Sequence, residues 1–215
     1  MPLVDIAIIW GATGQARVVR PILRQMDIEL GVLYDRSKDV KNPFKNIQIF
    51  YEKKQLWRWI DENRDKAIGF VAAIGGELGA DRLAVDEDLS ARGLHAVNVI
   101  HERAWVADTA KVGRGCQILA MSAVSHEVVI GRQVIINTSA SVDHECHLGN
   151  GVHIMPGAVL AGCVRVGQCT MIGTNATILP GLRIGANVRI GAGAVVTRDI
   201  EDGKTVIGSP ARLLD

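Results

Sequence analysis

From Val106 onward every sixth residue of the chain is aliphatic. The column runs Val106, Val112, Ile118, Val124, Ile130 and Ile136 and continues without a gap to Val196. Two residues before each member lies a second column of mostly small residues, among them Ala104, Ala110, Cys116, Ser122, Val128 and Val134, ending at Ala194. Residues two apart share a face in an extended strand, so both columns point into one core. An α-helix, with its period near 3.6, would carry a six-residue repeat around its cylinder and keep neither column buried. The repeat therefore specifies a coiled parallel β-structure that adds one short side every six residues. Glycine follows the aliphatic residue at Gly113, Gly131, Gly149, Gly167, Gly173, Gly185 and Gly191, where a chain that keeps bending is expected to need permissive dihedrals. Gly113, Gly131, Gly149 and Gly167 recur every eighteen residues, which predicts three sides per coil and a triangular prism of about five coils.

Before the repeat the pattern alternates. An apolar run from Val4 to Trp10 leads through a glycine turn to a helical stretch from Gln15 to Met26, then to Leu30–Tyr34, ending at Asp35. That is a β-α-β unit. Helical stretches over Glu52–Asn63 and Gly79–Arg92 and apolar runs over Ala67–Ile74 and His95–Ile100 continue it, predicting a small Rossmann-like parallel sheet. The expected fold class is α/β followed by β, with a first domain over residues 1–100 and a second over 101–215. Trp57 and Trp59, beside Leu56 and Ile60, read as a helix packing face.

The turn Gly11-Ala12-Thr13-Gly14 precedes a helix, whose free amides and dipole favour a phosphate or carboxylate. A tight strand-to-helix turn also needs glycine when nothing binds, and the full GxGxxG spacing is missing. Asp35 ends the second strand, where dinucleotide folds place an acidic ribose contact.

Lys and Arg number 24 against 23 Asp and Glu, a formal charge of +1. No broad field gathers nucleic acid or an anionic membrane, so neither is an expected partner and any anion must be held locally. The first residues, Met1 to Gly14, show no basic leader before the apolar run and no spanning length, so a cytoplasmic location is expected. Cys116, Cys146, Cys163 and Cys169 form no CxxC pair, and are expected to be buried reduced thiols.

The six-residue repeat over residues 104–197 resembles that of the left-handed β-helix acyltransferases. Its fusion to a β-α-β unit is similar to the hexapeptide-repeat family of nucleotide-amino-sugar N-acetyltransferases and sialic acid O-acetyltransferases. Left-handedness is implied by that resemblance, since the general crossover rule favours the opposite hand. The family's N-terminal loop reads Gly-x-Gly-Gly-His before a Val-Val pair; here stand Gly11, Thr13, Gly14, Gln15, Val18 and Val19. The resemblance implies a nucleotide-sugar site at Gly11, Thr13, Gly14 and Asp35, acetyl-CoA as co-substrate, no metal, and a homotrimer with active sites between subunits.

The segment Asn137-Thr138-Ser139-Ala140-Ser141-Val142-Asp143-His144-Glu145-Cys146 matches the family stretch that carries the catalytic histidine. Acetyl transfer to an amine needs a group that takes a proton as nitrogen attacks the thioester, and imidazole suits that work. His144 is the candidate base. Glu145 can orient it only if the chain turns there, because neighbours in a straight strand point to opposite sides. The resemblance further implies His153 and Gly162 near the thioester, Asn137 near the sugar, and Arg212, in Gly208-Ser209-Pro210-Ala211-Arg212, near a coenzyme A phosphate. His126, eighteen residues before His144, is expected to stack one coil away on the same edge. The histidine spacing does not match the three-histidine zinc enzymes built on this repeat. The function implied is N-acetylation of a nucleotide-linked amino sugar, at C4, for surface glycans. O-acetylation of a sialic-acid-type hydroxyl is the alternative, and a non-catalytic binding β-helix belongs to a different class.

Overall fold

The computed structural model describes residues 4–214. Residues 1–3 of the expected leaderless start therefore lie outside the described residues. Among the described residues no helix is long and apolar enough to cross a membrane.

The N-terminal region is β1 (Ile6–Trp10), α1 (Gly14–Gln25), β2 (Glu29–Tyr34), β3 (Gln48–Phe50), α2 (Lys53–Glu62), β4 (Ile68–Ala72), α3 (Gly79–Ser90) and β5 (His95–Ala96). The five strands form one sheet in the order β3-β2-β1-β4-β5, with every pair parallel. Alternate residues of β1 feed opposite layers. Ala7 and Ile9 pack with Val19, Ile22 and Leu23 of α1, whereas Ile6, Ile8 and Trp10 pack with Leu56 of α2 and Val85 and Leu89 of α3. That split follows from the period of two in β1.

β3 is absent from the sequence reading because three residues carry no legible period. The strand expected over 95–100 is two strands. His95–Ala96 closes the N-terminal sheet, and Val99–Ile100 pairs with Gln117–Ile118 of the coil.

The rest of the chain climbs as a three-sided coil in which each two-residue strand pairs in parallel with the strand eighteen residues on, as Ala123–Val124 does with Ser141–Val142. The three faces are sheets of six, five and eight strands. The aliphatic column from Ile118 to Val196 is buried together with Cys116, Val128, Val134, Ala140 and their successors in one core. Thr170 fits that column because its hydroxyl donates to the Gly185 carbonyl (2.7 Å) and accepts from the Val188 amide (3.0 Å), which satisfies the buried oxygen.

The bend is made elsewhere than expected. Positive φ recurs every sixth residue at Gly115, Met121, Glu127, Gln133, Ser139, Glu145, Gly151, Gly157, Cys163, Cys169 and Asn175, one residue before each small inward position. Gly113, Gly131, Gly149 and Gly167 do not have positive φ. They are glycine because the next coil lies against them: a Cβ on Gly113 would sit 2.5 Å from the Gly131 carbonyl oxygen, and one on Gly149 would sit 2.7 Å from the Gln168 nitrogen. Of the four free thiols, only Cys116 and Cys146 are buried; Cys163 and Cys169 stand at corners, Cys163 exposed. A corner side chain leaves the prism rather than entering it.

One face of the prism is docked against the N-terminal sheet. Leu119 and Ile135 join the core that holds α1. Gln15 Nε2 donates to Gln117 Oε1 (2.7 Å), and Gln117 Nε2 donates to the Ala72 carbonyl (2.8 Å). From α3, fully buried Arg82 donates to the carbonyls of Gln133 (3.0 Å), Ile74 (3.1 Å) and Gly151 (2.6 Å). Beside it buried Asp86 accepts from Arg114 (3.0 Å), Arg132 (3.0 Å) and Gln133 (3.2 Å). Burial lowers the Arg82 guanidinium to about 10, so it remains a cation bonded to the coil's carbonyls.

Candidate active site

His144 and Glu145 occupy the corner between the strands Ser141–Val142 and His147–Leu148, where Glu145 has φ 58°. The left-handed residue breaks the alternation of a straight strand, so two neighbouring side chains lie together outside the prism. Nδ1 of His144 lies 2.9 Å from Glu145 Oε2. A carboxylate only accepts, so Nδ1 carries the proton and Nε2 is left with a free lone pair. The His144 amide donates to Asp143 Oδ1 (2.7 Å), which holds the corner. Both side chains are about half exposed, at 51% and 56%.

Gly162 lies one coil on, directly under the imidazole. A Cβ there would be 2.5 Å from His144 Nε2. Its neighbours Ala161 and Cys163 donate their amides to Ile178 and His144 (3.1 and 2.9 Å), while the Gly162 N–H makes no hydrogen bond among the described residues. The residue directly against the imidazole thus keeps a backbone N–H without a partner among the described residues. Cys163, at φ 63°, is exposed, with Sγ 3.8 Å from Glu145 Oε2.

His153 and Asn137 belong to a different face. His153 starts the strand His153–Ile154, on the face docked to the N-terminal sheet, and is 2% exposed. Its Nδ1–H donates to the Gly76 carbonyl (2.9 Å) and its Nε2 accepts from Asn137 Nδ2 (3.1 Å). The Asn137 amide is oriented by its own oxygen, which accepts from the Thr138 N–H (2.8 Å). Burial, with the nearby Arg82 charge adding to it against the Gly76 hydrogen bond, lowers the His153 imidazole to about 4; the ring is neutral. The His153 backbone N–H donates to Thr170 in the ladder (3.0 Å), so no amide remains there for an oxyanion. Within one chain the structure therefore unites His144, Glu145 and Gly162, and separately His153, Asn137 and Gly76.

His126 does not stack on His144. Its ring stands edge-on to exposed Trp105, with centroids 5.8 Å apart, and Nδ1 lies 3.2 Å from the Thr109 hydroxyl. Arg212, in the short antiparallel strand Arg212–Leu213, bonds to its own residue-neighbour, the Ala211 carbonyl (3.0 Å).

At the N-terminal loop Gly11 has φ 103°, and a Cβ would meet the Ala73 oxygen at 2.6 Å, so its glycine is a requirement of the turn. Gly14 has ordinary φ and open space around it. α1 begins after Thr13 with no side-chain cap and no acidic residue in its first turn, which leaves its amides and dipole available. Asp35 accepts from the amides of Ala12 (2.8 Å) and Ser37 (3.0 Å), so it organises the loop. Trp10, Gly11, Asp35, Arg36, Ile74, Leu78 and Asp81 line a cavity of about 250 Å³. It opens where the strand order reverses at β1 and β4, the ligand crevice of open parallel sheets.

Sequence reasoning missed the loop at Gly76 and the cation Arg82. Nothing in the string Gly79-Ala80-Asp81-Arg82 distinguishes a buried arginine from a solvated one. It also missed a basic column: Lys111, His147, Arg165 and Arg183 stand on one face of the prism, in register with Val129.

Comparison with known proteins found a matching family and solved structures of the same fold. The bacterial transferase hexapeptide (six repeats) family matches residues 145–178 and 163–198. The acetyltransferase domain of PglB from Neisseria gonorrhoeae, solved in complex with acetyl coenzyme A, is 30% identical, with 99% of this chain and 100% of that chain covered at a TM-score of 0.87. PerB from Caulobacter crescentus, solved with CoA and GDP-perosamine, is 30% identical over 99% of each chain at a TM-score of 0.87. WeeI from Acinetobacter baumannii shares the fold at 23% identity and a TM-score of 0.83. No curated protein sequence matches significantly.

Proposed function

Because the chain belongs to the hexapeptide-repeat sugar N-acetyltransferases, we propose that it moves the acetyl group of acetyl-CoA onto the C4 amine of a nucleotide-linked amino sugar. The observation that carries this reading is the corner at His144. A base with one nitrogen held by Glu145 and the other free lies directly over Gly162 and its unpaired N–H.

As the amine nitrogen attacks the thioester carbon, its proton passes to His144 Nε2. Glu145 stabilises the resulting imidazolium, and the Gly162 N–H faces the tetrahedral oxygen. The intermediate collapses with loss of the coenzyme A thiolate, which takes the proton back from His144. No resident metal is needed in this sequence of steps.

The N-terminal region is read as a Rossmann-like nucleotide-sugar domain over residues 1–100. Gly11, Thr13 and Gly14 offer the uncapped amides of α1 to a phosphate. The loop that closes this crevice at Ile74 runs on to Gly76, whose carbonyl holds His153. The sugar of a bound nucleotide would then reach Asn137 and His153.

The second domain, 101–215, is read as a left-handed β-helix that works as a trimer. One face presents Trp105, Ala123, Ser141, Val159, Thr177 and Val195, all uncharged, in register. The corner that joins this face to the docked face carries Met121, Ser139, Gly157, Asn175 and Gly193, again uncharged. A flat neutral surface on an otherwise charged prism suits closure against further copies. Such packing would bring the His144 corner of one subunit to the Asn137–His153 corner of the next, completing a site that one chain leaves in two halves. The basic column at Lys111, Arg165 and Arg183, and Arg212 in the tail, would meet the phosphates of coenzyme A.

The test is incubation with acetyl-CoA and a panel of UDP-, GDP- and dTDP-linked 4-amino sugars, reading thiol release and product mass. One acetyl group gained by a nucleotide amino sugar is the expected result. Turnover only on hydroxyl acceptors such as sialic acid would replace this function with O-acetylation.

A further inference from the structure

The corner that holds the candidate base also assembles three side chains of the kinds that bind zinc. One ligand atom each from His144, Glu145 and Cys163 lies within 4.8 Å of the others, and all three are exposed. Glu145 Oε2 is 2.9 Å from His144 Nδ1 and 3.8 Å from Cys163 Sγ. Ligands about 2.0–2.3 Å from a tetrahedral zinc lie roughly 3.3–3.8 Å from one another, so a small rotation of exposed side chains brings all three onto one ion.

We propose that His144, Glu145 and Cys163 form an inhibitory zinc site, in which the metal takes Nδ1 of His144, leaves the proton on Nε2 and so stops acetyl transfer. The inference rests on His144 being the base only for its effect on rate; the binding itself does not.

The coordination is chemically balanced. Nδ1 of His144, a carboxylate oxygen and a thiolate sulfur supply three protein ligands; the Nδ1 proton passes through solvent to Nε2, and the thiol proton leaves to solvent as the metal–sulfur bond forms. Two anionic ligands neutralise Zn²⁺, and water completes a tetrahedron. The backbone predisposes the set, since Glu145 and Cys163 stand at corresponding corners of consecutive coils at φ 58° and 63°, with the Cys163 amide bonded to the His144 carbonyl (2.9 Å). Cys163 has no part in the proposed transfer. Asn175 and Asn187 occupy equivalent corners in this chain, at φ 55°, so Cys163→Asn preserves the backbone.

The experiment titrates Zn²⁺ against the full-length protein in two readouts. In the first, Co²⁺ replaces zinc without any substrate, and a thiolate-to-cobalt charge-transfer absorption is expected in wild type and not in Cys163→Asn. In the second, acetyl transfer is measured against Zn²⁺ with Mg²⁺ as the control, since the harder ion disfavours thiolate. Cys163→Asn should keep the metal-free rate and need about tenfold or more zinc for half inhibition. Absence of the cobalt band from wild type would overturn the site, as would equal zinc sensitivity of the two proteins. A cobalt band in a protein that acetylates no amino sugar would uphold the site while the proposed function fails.

Discussion

Gly162→Ala isolates the position of the imidazole from every other feature of the corner. The added Cβ would lie 2.5 Å from His144 Nε2 and 2.6 Å from Cε1, where ordinary contact between such atoms is about 3.5 Å. The ring must therefore retreat by about 1 Å or swing toward solvent, which its half-exposed setting permits. The stability cost is that of an off-rotamer side chain, about 1 kcal/mol, because the three atoms nearest the methyl group all belong to the half-exposed imidazole. The rate cost is larger, since a displacement of about 1 Å at a reacting group lowers turnover by about 10²-fold. The Gly162 N–H is retained, so the loss reports on the base and not on the oxyanion donor. Turnover would be followed by thiol release from acetyl-CoA, and stability by urea denaturation on the same preparation. In a His144→Ala background, itself slower by about 10²- to 10⁴-fold, the methyl group should cost nothing more, because the two changes act on one interaction. Turnover of Gly162→Ala within about twofold of wild type, or equal further loss in both backgrounds, would refute the assignment of Nε2 as the base above Gly162.

Glu145→Gln keeps the shape of the corner but withdraws the charge that stabilises the imidazolium; kcat should fall by about 10-fold to 100-fold with KM for acetyl-CoA little changed, as steady-state kinetics would show. His153 supplies a pH dependence of stability. Its folded value of about 4 lies below the unfolded value near 6.5, so between these limits the unfolded chain binds the extra proton and stability falls as pH falls, by up to about 3 kcal/mol in all. His153→Gln should flatten that part of the stability curve in urea titrations from pH 7 to pH 4, and an unchanged slope would remove His153 as its source. Arg82→Met leaves the Gln133, Ile74 and Gly151 carbonyls without their buried donor and should destabilise the protein by about 3 kcal/mol, whereas a neutral result in urea denaturation would mean that the Arg82 hydrogen bonds carry no net energy.

Much of this molecule was legible in the order of its residues because each coil repeats one local rule. Two inward positions in six, spaced by two, can be buried together only by strands that turn, and the same columns appear in the core from Ile118 to Val196. The helices α1 and α2 were legible for a similar reason, since each presents one apolar stripe to the sheet, whereas α3 buries Arg82 and Asp86 beside Val85 and Leu89. The string at His144 resembles a stretch that carries a catalytic histidine, and Glu145 reaches that ring because a corner falls there. Which residues make the corner was not legible. Met121, Glu127, Gln133 and Cys163 carry no turn signature, yet all have positive φ, because stacked coils hold the backbone in a state their side chains disfavour by about 1 kcal/mol or more. The glycines that seemed to mark the bends instead mark close approach between coils, a distance set by residues eighteen apart.

Tertiary structure alone decided the remaining features. Arg82, Asp86 and His153 are ordinary polar residues in the sequence. They become a buried cation, a buried anion and a neutral imidazole only when α3 and the Gly76 loop cover one face of the prism. Desolvation and hydrogen-bond partners arise from residues distant in the chain, so no local pattern encodes them. The sequence by itself determined that the chain coils, where its core runs and which corner bears an imidazole. The three-sided prism directs this corner and the Asn137–His153 pair toward different sides, and docking of the N-terminal region decided that His153 is buried while His144 stays exposed.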